Sequence, residues 1–178
     1  MLIVISGTPG TGKTSVAKLL SRKMHAKLIT TGYLVKKYKI RSSLDRKRKT
    51  KIIDTKKLSD ATKNEAGKYK VAIFEGHLAH FTSGDLTVIL RTNPKELEKR
   101  LRKKRWGQKK IRENVEAEAM GIISNEAGKS LEIDTTGKTP ENIATLILKL
   151  LNNYSLRKRY AGKIDWTKEY VNYLKRFR

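Results

Sequence analysis

The sequence has 178 residues, 38% of them hydrophobic, no cysteine and a formal net charge of +24. That length suits one domain with a real core, and the missing cysteines exclude disulfides, thiolate metal sites and cysteine nucleophiles. No apolar run approaches the roughly 18 residues of a membrane helix and no signal peptide is read, so a cytoplasmic protein with no membrane partner is expected.

In chain order, Leu2-Ile3-Val4-Ile5 is a short apolar run of the kind a sheet buries on both faces, followed at once by a glycine-rich turn. Gly7-Thr8-Pro9-Gly10-Thr11-Gly12-Lys13-Thr14 fits G-x-x-x-x-G-K-[ST] between a predicted strand and a predicted helix over Lys13 to about Met24. In such a P-loop, glycines such as Gly10 and Gly12 let successive backbone N–H groups point at phosphate oxygens of ATP. Lys13 then reaches the β- and γ-phosphates, Thr14 offers a hydroxyl to Mg²⁺, and Ser15 lies where it can reach the α-phosphate. The competing reading is a glycine-rich turn that binds nothing.

Lys27 to Thr30 is the next strand candidate. Residues 31–69 are too long for a plain crossover and too charged for burial, which predicts a helical insert over the site. Val71 to Glu75 forms a third strand and ends in Glu75-Gly76-His77. Glu75 is placed to hold Mg²⁺ through water; His77 either orients a water or acceptor near the γ-phosphate or is structural, and His80 is the weaker candidate of the two. Leu86 to Leu90 is the fourth strand, and Asn93-Pro94 caps a helix running to about Arg105. An arginine-rich hinge near residues 103–112 leads into a helix from Gln108 to Ala127, and Ser130 to Ile133 is the fifth strand. Thr139-Pro140 starts a helix carrying Ile143, Leu146, Ile147, Leu150 and Leu151. From Asp165 a basic amphipathic tail helix is predicted, with Trp166, Tyr170, Val171, Leu174 and Phe177 along one side.

Five strands alternating with helices imply an α/β fold: a five-stranded parallel sheet, helices on both faces, and ligands at the strands' carboxyl ends. No N-K-x-D or D-x-x-G motif occurs, which disfavours a GTPase and leaves short kinases and small ATPases. The positive charge is concentrated in residues 36–57, 95–112 and 149–178, and the remainder balances. A polyanion-facing surface concentrates charge in this way, whereas solvated helix faces of a Lys-rich protein are the plainer alternative.

Together the P-loop, Glu75-Gly76-His77, Arg112-Glu113-Asn114-Val115-Glu116-Ala117-Glu118 and Gly162-Lys163-Ile164-Asp165-Trp166 resemble the adenylate-kinase-like small-subunit ribosome maturation factors over nearly the whole chain. The resemblance implies a broad-specificity adenylate kinase with ATPase activity, acting on AMP or another nucleoside monophosphate, helping to mature small-subunit rRNA and binding ribosomal protein uS11. It further implies that residues 31–69 bind the monophosphate through Thr31, Gly32 and Lys36. The lid at 103–112 would touch ATP through Arg105, and Lys138 would contact the adenine side. The chain departs from the pattern at Arg105-Trp106-Gly107, where relatives read Arg-Gly-aromatic. It also departs at the basic run Arg46, Lys47, Arg48, Lys49 and Lys51, which favours RNA contact, and at Lys36, where adenylate kinases proper have arginine.

Overall fold

The computed structural model describes residues 1–40, 42–45 and 50–175. The strands among them are β1 (Leu2–Ser6), β2 (Lys27–Thr30), β3 (Ser42–Asp45), β4 (Thr50–Ile53), β5 (Ala72–Glu75), β6 (Leu86–Arg91) and β7 (Leu131–Asp134). Five of them form a parallel sheet in the order β2-β5-β1-β6-β7, so β1 is central and every expected sheet strand is present.

Strand alternation sorts the core into two layers. Ile3 and Ile5 point to the face covered by α1 (Lys13–Met24) and α7 (Pro140–Asn152), where they meet Val16, Leu20, Ile143, Ile147 and Leu150. Leu2 and Val4 point the other way, to Leu34 of α2 (Thr31–Lys37) and Leu58 of α3 (Thr55–Ala66), with Ile29 and Phe74 beside them. Both proline caps form: Asn93 Oδ1 accepts from Lys95 N at 3.0 Å, and Thr139 Oγ1 from Asn142 N at 3.3 Å.

The structure corrects the sequence reading in the insert, in the helices between residues 94 and 127, and in the tail. The insert is not wholly helical, because β3 and β4 pair antiparallel between α2 and α3; the β-branched residues of Thr50-Lys51-Ile52-Ile53 suit a strand. The basic run Arg46 to Lys49 lies outside the described residues. Glu65 on α3 anchors α2 by accepting from Tyr33 Oη (2.7 Å), Lys37 Nζ (2.9 Å) and Tyr38 Oη (2.8 Å).

The helix expected from Gln108 to Ala127 is two helices, α5 (Gln108–Ala119) and α6 (Ile122–Glu126), broken where Gly121 turns left-handed at φ 61°. Helix α4 (Pro94–Lys103) ends before Arg105. After α8 (Tyr154–Lys158), the tail forms α9 (Thr167–Leu174) as expected, but turned differently. Tyr173 is fully buried against Leu97, Leu101, Ile111 and Val115 with Trp106 and Tyr170 alongside, whereas Val171 and Leu174 are exposed. Phe177 lies outside the described residues.

Candidate active site

Parallel strands bring their carboxyl ends to one edge of the sheet, so the segments leaving β1, β2 and β5 meet there. The P-loop leaves β1 and runs directly into α1, whose N-cap is Gly12 in a left-handed conformation. Its first-turn N–H groups are therefore unpaired donors aimed out of the helix end. Gly10 has φ 99°, and a Cβ there would lie 2.7 Å from Leu97 Cδ1, so only glycine lets the loop sit against α4.

Lys13 is nearly buried, and its Nζ donates to the Thr8 carbonyl at 3.1 Å. Burial pulls its pKa down to about 8, with Glu75 and Glu118 pulling the other way and Lys104 adding to the depression. Thr14 Oγ1 donates to the Glu75 carboxylate, 3.2 and 3.3 Å from its two oxygens. A hydroxyl and one carboxylate are hard oxygen donors of the kind Mg²⁺ takes alongside waters and phosphate oxygens, so this pair fits that ion.

Across the same opening, Thr31 and Gly32 begin α2. A Cβ on Gly76 would fall 2.3 Å from Thr31 Oγ1, so the glycine between Glu75 and His77 is what allows the β2–α2 junction to close against the β5 turn. His77 is exposed at this edge, its pKa held down first by desolvation and then by Lys13 and His80, which favours the neutral imidazole. His80 is different. It is buried in a 3₁₀ turn (Ala79–Phe81), with Nδ1 3.1 Å from Ser6 Oγ and Nε2 3.0 Å from Glu126. Ser6 is fully buried and also donates to the Gly76 carbonyl at 2.9 Å, so this Ser–His–Glu row braces the ends of β1 and β5.

Two lobes flank the P-loop. The first, about 450 Å³, is lined by Gly10, Gly12, Lys13, Thr14, Ser15, Thr31, Gly32, Glu75, His77, Lys104 and Trp106, among others. The second, about 430 Å³, lies over Gly10, Gly12, Ser15 and Val16 toward Thr135, Lys138, Pro140 and Ile143, with Arg100, Lys103 and Lys104 at its edge. Ten of the residues expected from the sequence thus line one cleft or the other. Lys36 and Arg105 line neither. Lys36 is an exposed residue of α2, and Arg105 is an exposed residue held at φ 57° in the turn after α4.

Lys104 and Trp106, on either side of Arg105, face the first lobe instead, and Lys110 Nζ sits 4.1 Å from the Trp106 ring. Sequence reasoning missed both, and it missed Thr135, whose hydroxyl donates to the Thr11 carbonyl at 3.1 Å. The basic run 102–105 signalled a cation at this place without saying which.

The AAA domain family profile matches residues 3–121. A Methanocaldococcus jannaschii protein named "Putative adenylate kinase" is 37% identical over 175 residues, covering 98% of this chain and 97% of its own. A protein of the same name from Thermococcus kodakarensis is 36% identical over 175 residues, covering 96% and 95%. Among solved structures, shikimate kinase from Aquifex aeolicus superposes with a TM-score of 0.57 at 20% identity, covering 88% of this chain and 99% of that one, a likeness of fold. Among the described residues no helix is long and apolar enough to cross a membrane. With its P-loop, its acid–Gly–His turn and relatives that match it over nearly its whole length, the chain belongs to the adenylate-kinase-like family of P-loop kinases.

Proposed function

We propose that the protein is a nucleoside-monophosphate kinase of adenylate kinase type, transferring the γ-phosphoryl group of ATP to AMP or a related monophosphate. The observation that carries this reading is the meeting of Lys13, Thr14 and Glu75 with Thr31, Gly32 and His77 around one opening, while Thr135 and Lys138 border a second lobe across the P-loop. The second lobe suits the nucleoside of ATP and the first its γ-phosphate and the acceptor. Loop N–H groups and Lys13 hold the phosphates, and Lys104 supplies a further cation over the transferring group. Thr14 and Glu75 would hold Mg²⁺, which when bound neutralises charge on the phosphates. Neutral His77 accepts a hydrogen bond from a water, which gives ATP hydrolysis when no monophosphate fills the first lobe. Lys36 and Arg105 remain candidates for monophosphate and ATP contacts on closure of the insert and the α4–α5 turn.

The sequence motifs shared with ribosome maturation factors, together with a net charge of +24, support broad specificity, ATPase activity, uS11 and small-subunit rRNA as partners, and a role in rRNA maturation. On that basis a second reading is an RNA- or ribosome-bound ATPase switch without physiological kinase activity. Chromatography of products formed from ATP with each monophosphate in turn, and again with uS11 or rRNA added, tests both. ADP formed from both ATP and AMP supports the kinase. Phosphate release that needs RNA or uS11, with no transfer to any monophosphate, would overturn it in favour of the switch.

A further inference from the structure

Behind the P-loop, away from both lobes, lies a buried polar network that phosphate binding does not use. Thr8, the second residue of the loop, is 3% exposed, and its Oγ1 donates a short hydrogen bond to Glu118 Oε2 on α5. Glu118 is 1% exposed, and its other oxygen accepts from Arg91 Nε at 2.8 Å and from Thr92 N at 2.9 Å. Arg91, at the end of β6, also donates to Ser124 Oγ, Glu132 Oε2 and the Glu118 carbonyl at 2.8 Å each, and to the Ile164 carbonyl at 3.0 Å. Glu132 Oε2 in turn accepts from Ile164 N at 2.8 Å. Both backbone groups of Ile164 are therefore held, and the segment leading into α9 is docked on the same arginine that fixes Glu118.

At the other end of this chain of contacts, the Thr8 carbonyl accepts from Lys13 Nζ at 3.1 Å, Thr11 N at 3.2 Å and Thr11 Oγ1 at 2.9 Å. A carboxylate buried with an arginine contributes little net stability, because desolvation offsets most of the attraction. What it does supply is direction: each oxygen of Glu118 has a fixed donor, and one of those donors is the P-loop itself.

We propose that Glu118 is a positioning residue for the P-loop, clamping Thr8 from behind so that the peptide on which Lys13 and Thr11 converge is set for ATP, and tying that geometry to the docked C-terminal segment. The inference rests on the reading of this loop as the ATP site.

The test compares steady-state kinetics and thermal unfolding of the parent, Thr8→Val, Thr8→Ser, Glu118→Gln and the Thr8→Val/Glu118→Gln pair. Valine keeps the volume of Thr8 and loses only the hydroxyl. KM for ATP is expected to rise at least about tenfold in Thr8→Val, the effect of losing a hydrogen bond to a charged group, with kcat within about twofold. KM for the monophosphate stays at the parental value, and Thr8→Ser, which keeps the hydroxyl, restores KM for ATP. Because Glu118→Gln acts on ATP binding through the same Thr8 hydroxyl that Thr8→Val removes, the effects in the pair are expected to be less than additive. A parental KM for ATP in Thr8→Val, with only a lower unfolding midpoint and less active protein, would overturn the proposal, as would fully additive effects in the pair. Failure of the parent itself to turn over ATP would instead overturn the kinase reading, and with it this proposal, before any variant is compared. Should Glu118→Gln fail to fold, the Val and Ser variants of Thr8 still decide the matter.

Discussion

Replacing Lys13 by methionine keeps the length and apolar stem of the side chain and removes its charge, and the structure predicts opposite effects on turnover and stability. Lys13 is 9% exposed, and its pKa is drawn from 10.5 to about 8. A depression of that size corresponds to about 3 kcal/mol against the charged form in the folded state. Below pH 8 both the folded and unfolded chains hold the proton, so the penalty is fully present; between pH 8 and 10.5 the unfolded chain holds more protons and stability rises with pH. Lys13→Met is therefore expected to raise stability at pH 7 by up to about 3 kcal/mol, read as a higher unfolding midpoint, and to flatten the rise above pH 8. Turnover moves the other way. Loss of one preorganised electrostatic contact to a transferring group costs about 2.7 to 4 kcal/mol, or roughly a hundredfold to a thousandfold in kcat, measured by coupled assay of ADP formation. In the parent, kcat/KM should fall as pH rises through about 8, where free Lys13 loses its proton. Near-parental turnover in the variant would refute the catalytic role of Lys13. An unchanged or lower midpoint at pH 7 would refute the buried-charge argument.

Glu75→Gln is expected to impair transfer and hydrolysis alike and to raise the Mg²⁺ concentration needed for half-maximal rate, since Glu75 and Thr14 act together; a parental Mg²⁺ titration would count against the pair as the metal site. His77→Ala should reduce ATP hydrolysis more than transfer to AMP, whose phosphate already supplies a positioned nucleophile, and equal losses would make His77 structural or a shared binding residue. Gly76→Ala forces a Cβ to 2.3 Å from Thr31 Oγ1. Displacing the β2–α2 junction should cost about 1 to 3 kcal/mol in denaturant unfolding and raise KM for the monophosphate above that for ATP, an ordering that steady-state kinetics checks directly. Binding to structured RNA should show a log-log salt slope of roughly 4 or more in filter titrations, reduced when Arg46, Lys47, Arg48 and Lys49 are neutralised together; a slope near zero would mark the charge as solvation.

Features written in local patterns were legible without coordinates. The five sheet strands, the proline-started helices and the P-loop each depend on residues within one turn or one strand of each other, so period and spacing suffice to place them. The pairing of Thr14 with Glu75 was legible for a related reason: a parallel sheet sends all its strand ends to one edge, so an acid closing β5 had to lie near the loop closing β1.

Other features turned on contacts between distant segments. The tail carries two overlapping helical stripes, one through Val171 and Leu174 and one through Tyr170 and Tyr173, and only the position of α4 and α5 decides that Tyr173 is the buried one. Between Lys104 and Arg105 the sequence offers two adjacent cations; the left-handed turn at Arg105 leaves Lys104 and Trp106 lining the cleft. Glu118 closes the motif Arg112 to Glu118, but nothing in that motif tells it apart from the exposed Glu113 and Glu116 as the buried acid. The chain's local periodicity determined the sheet, the phosphate loop and the end of the sheet where chemistry occurs, because short-range geometry fixes them. Tertiary structure alone decided which charges are buried and paired, because the Arg91–Glu118–Thr8 link joins residues 27 and 110 positions apart whose meeting no local pattern encodes.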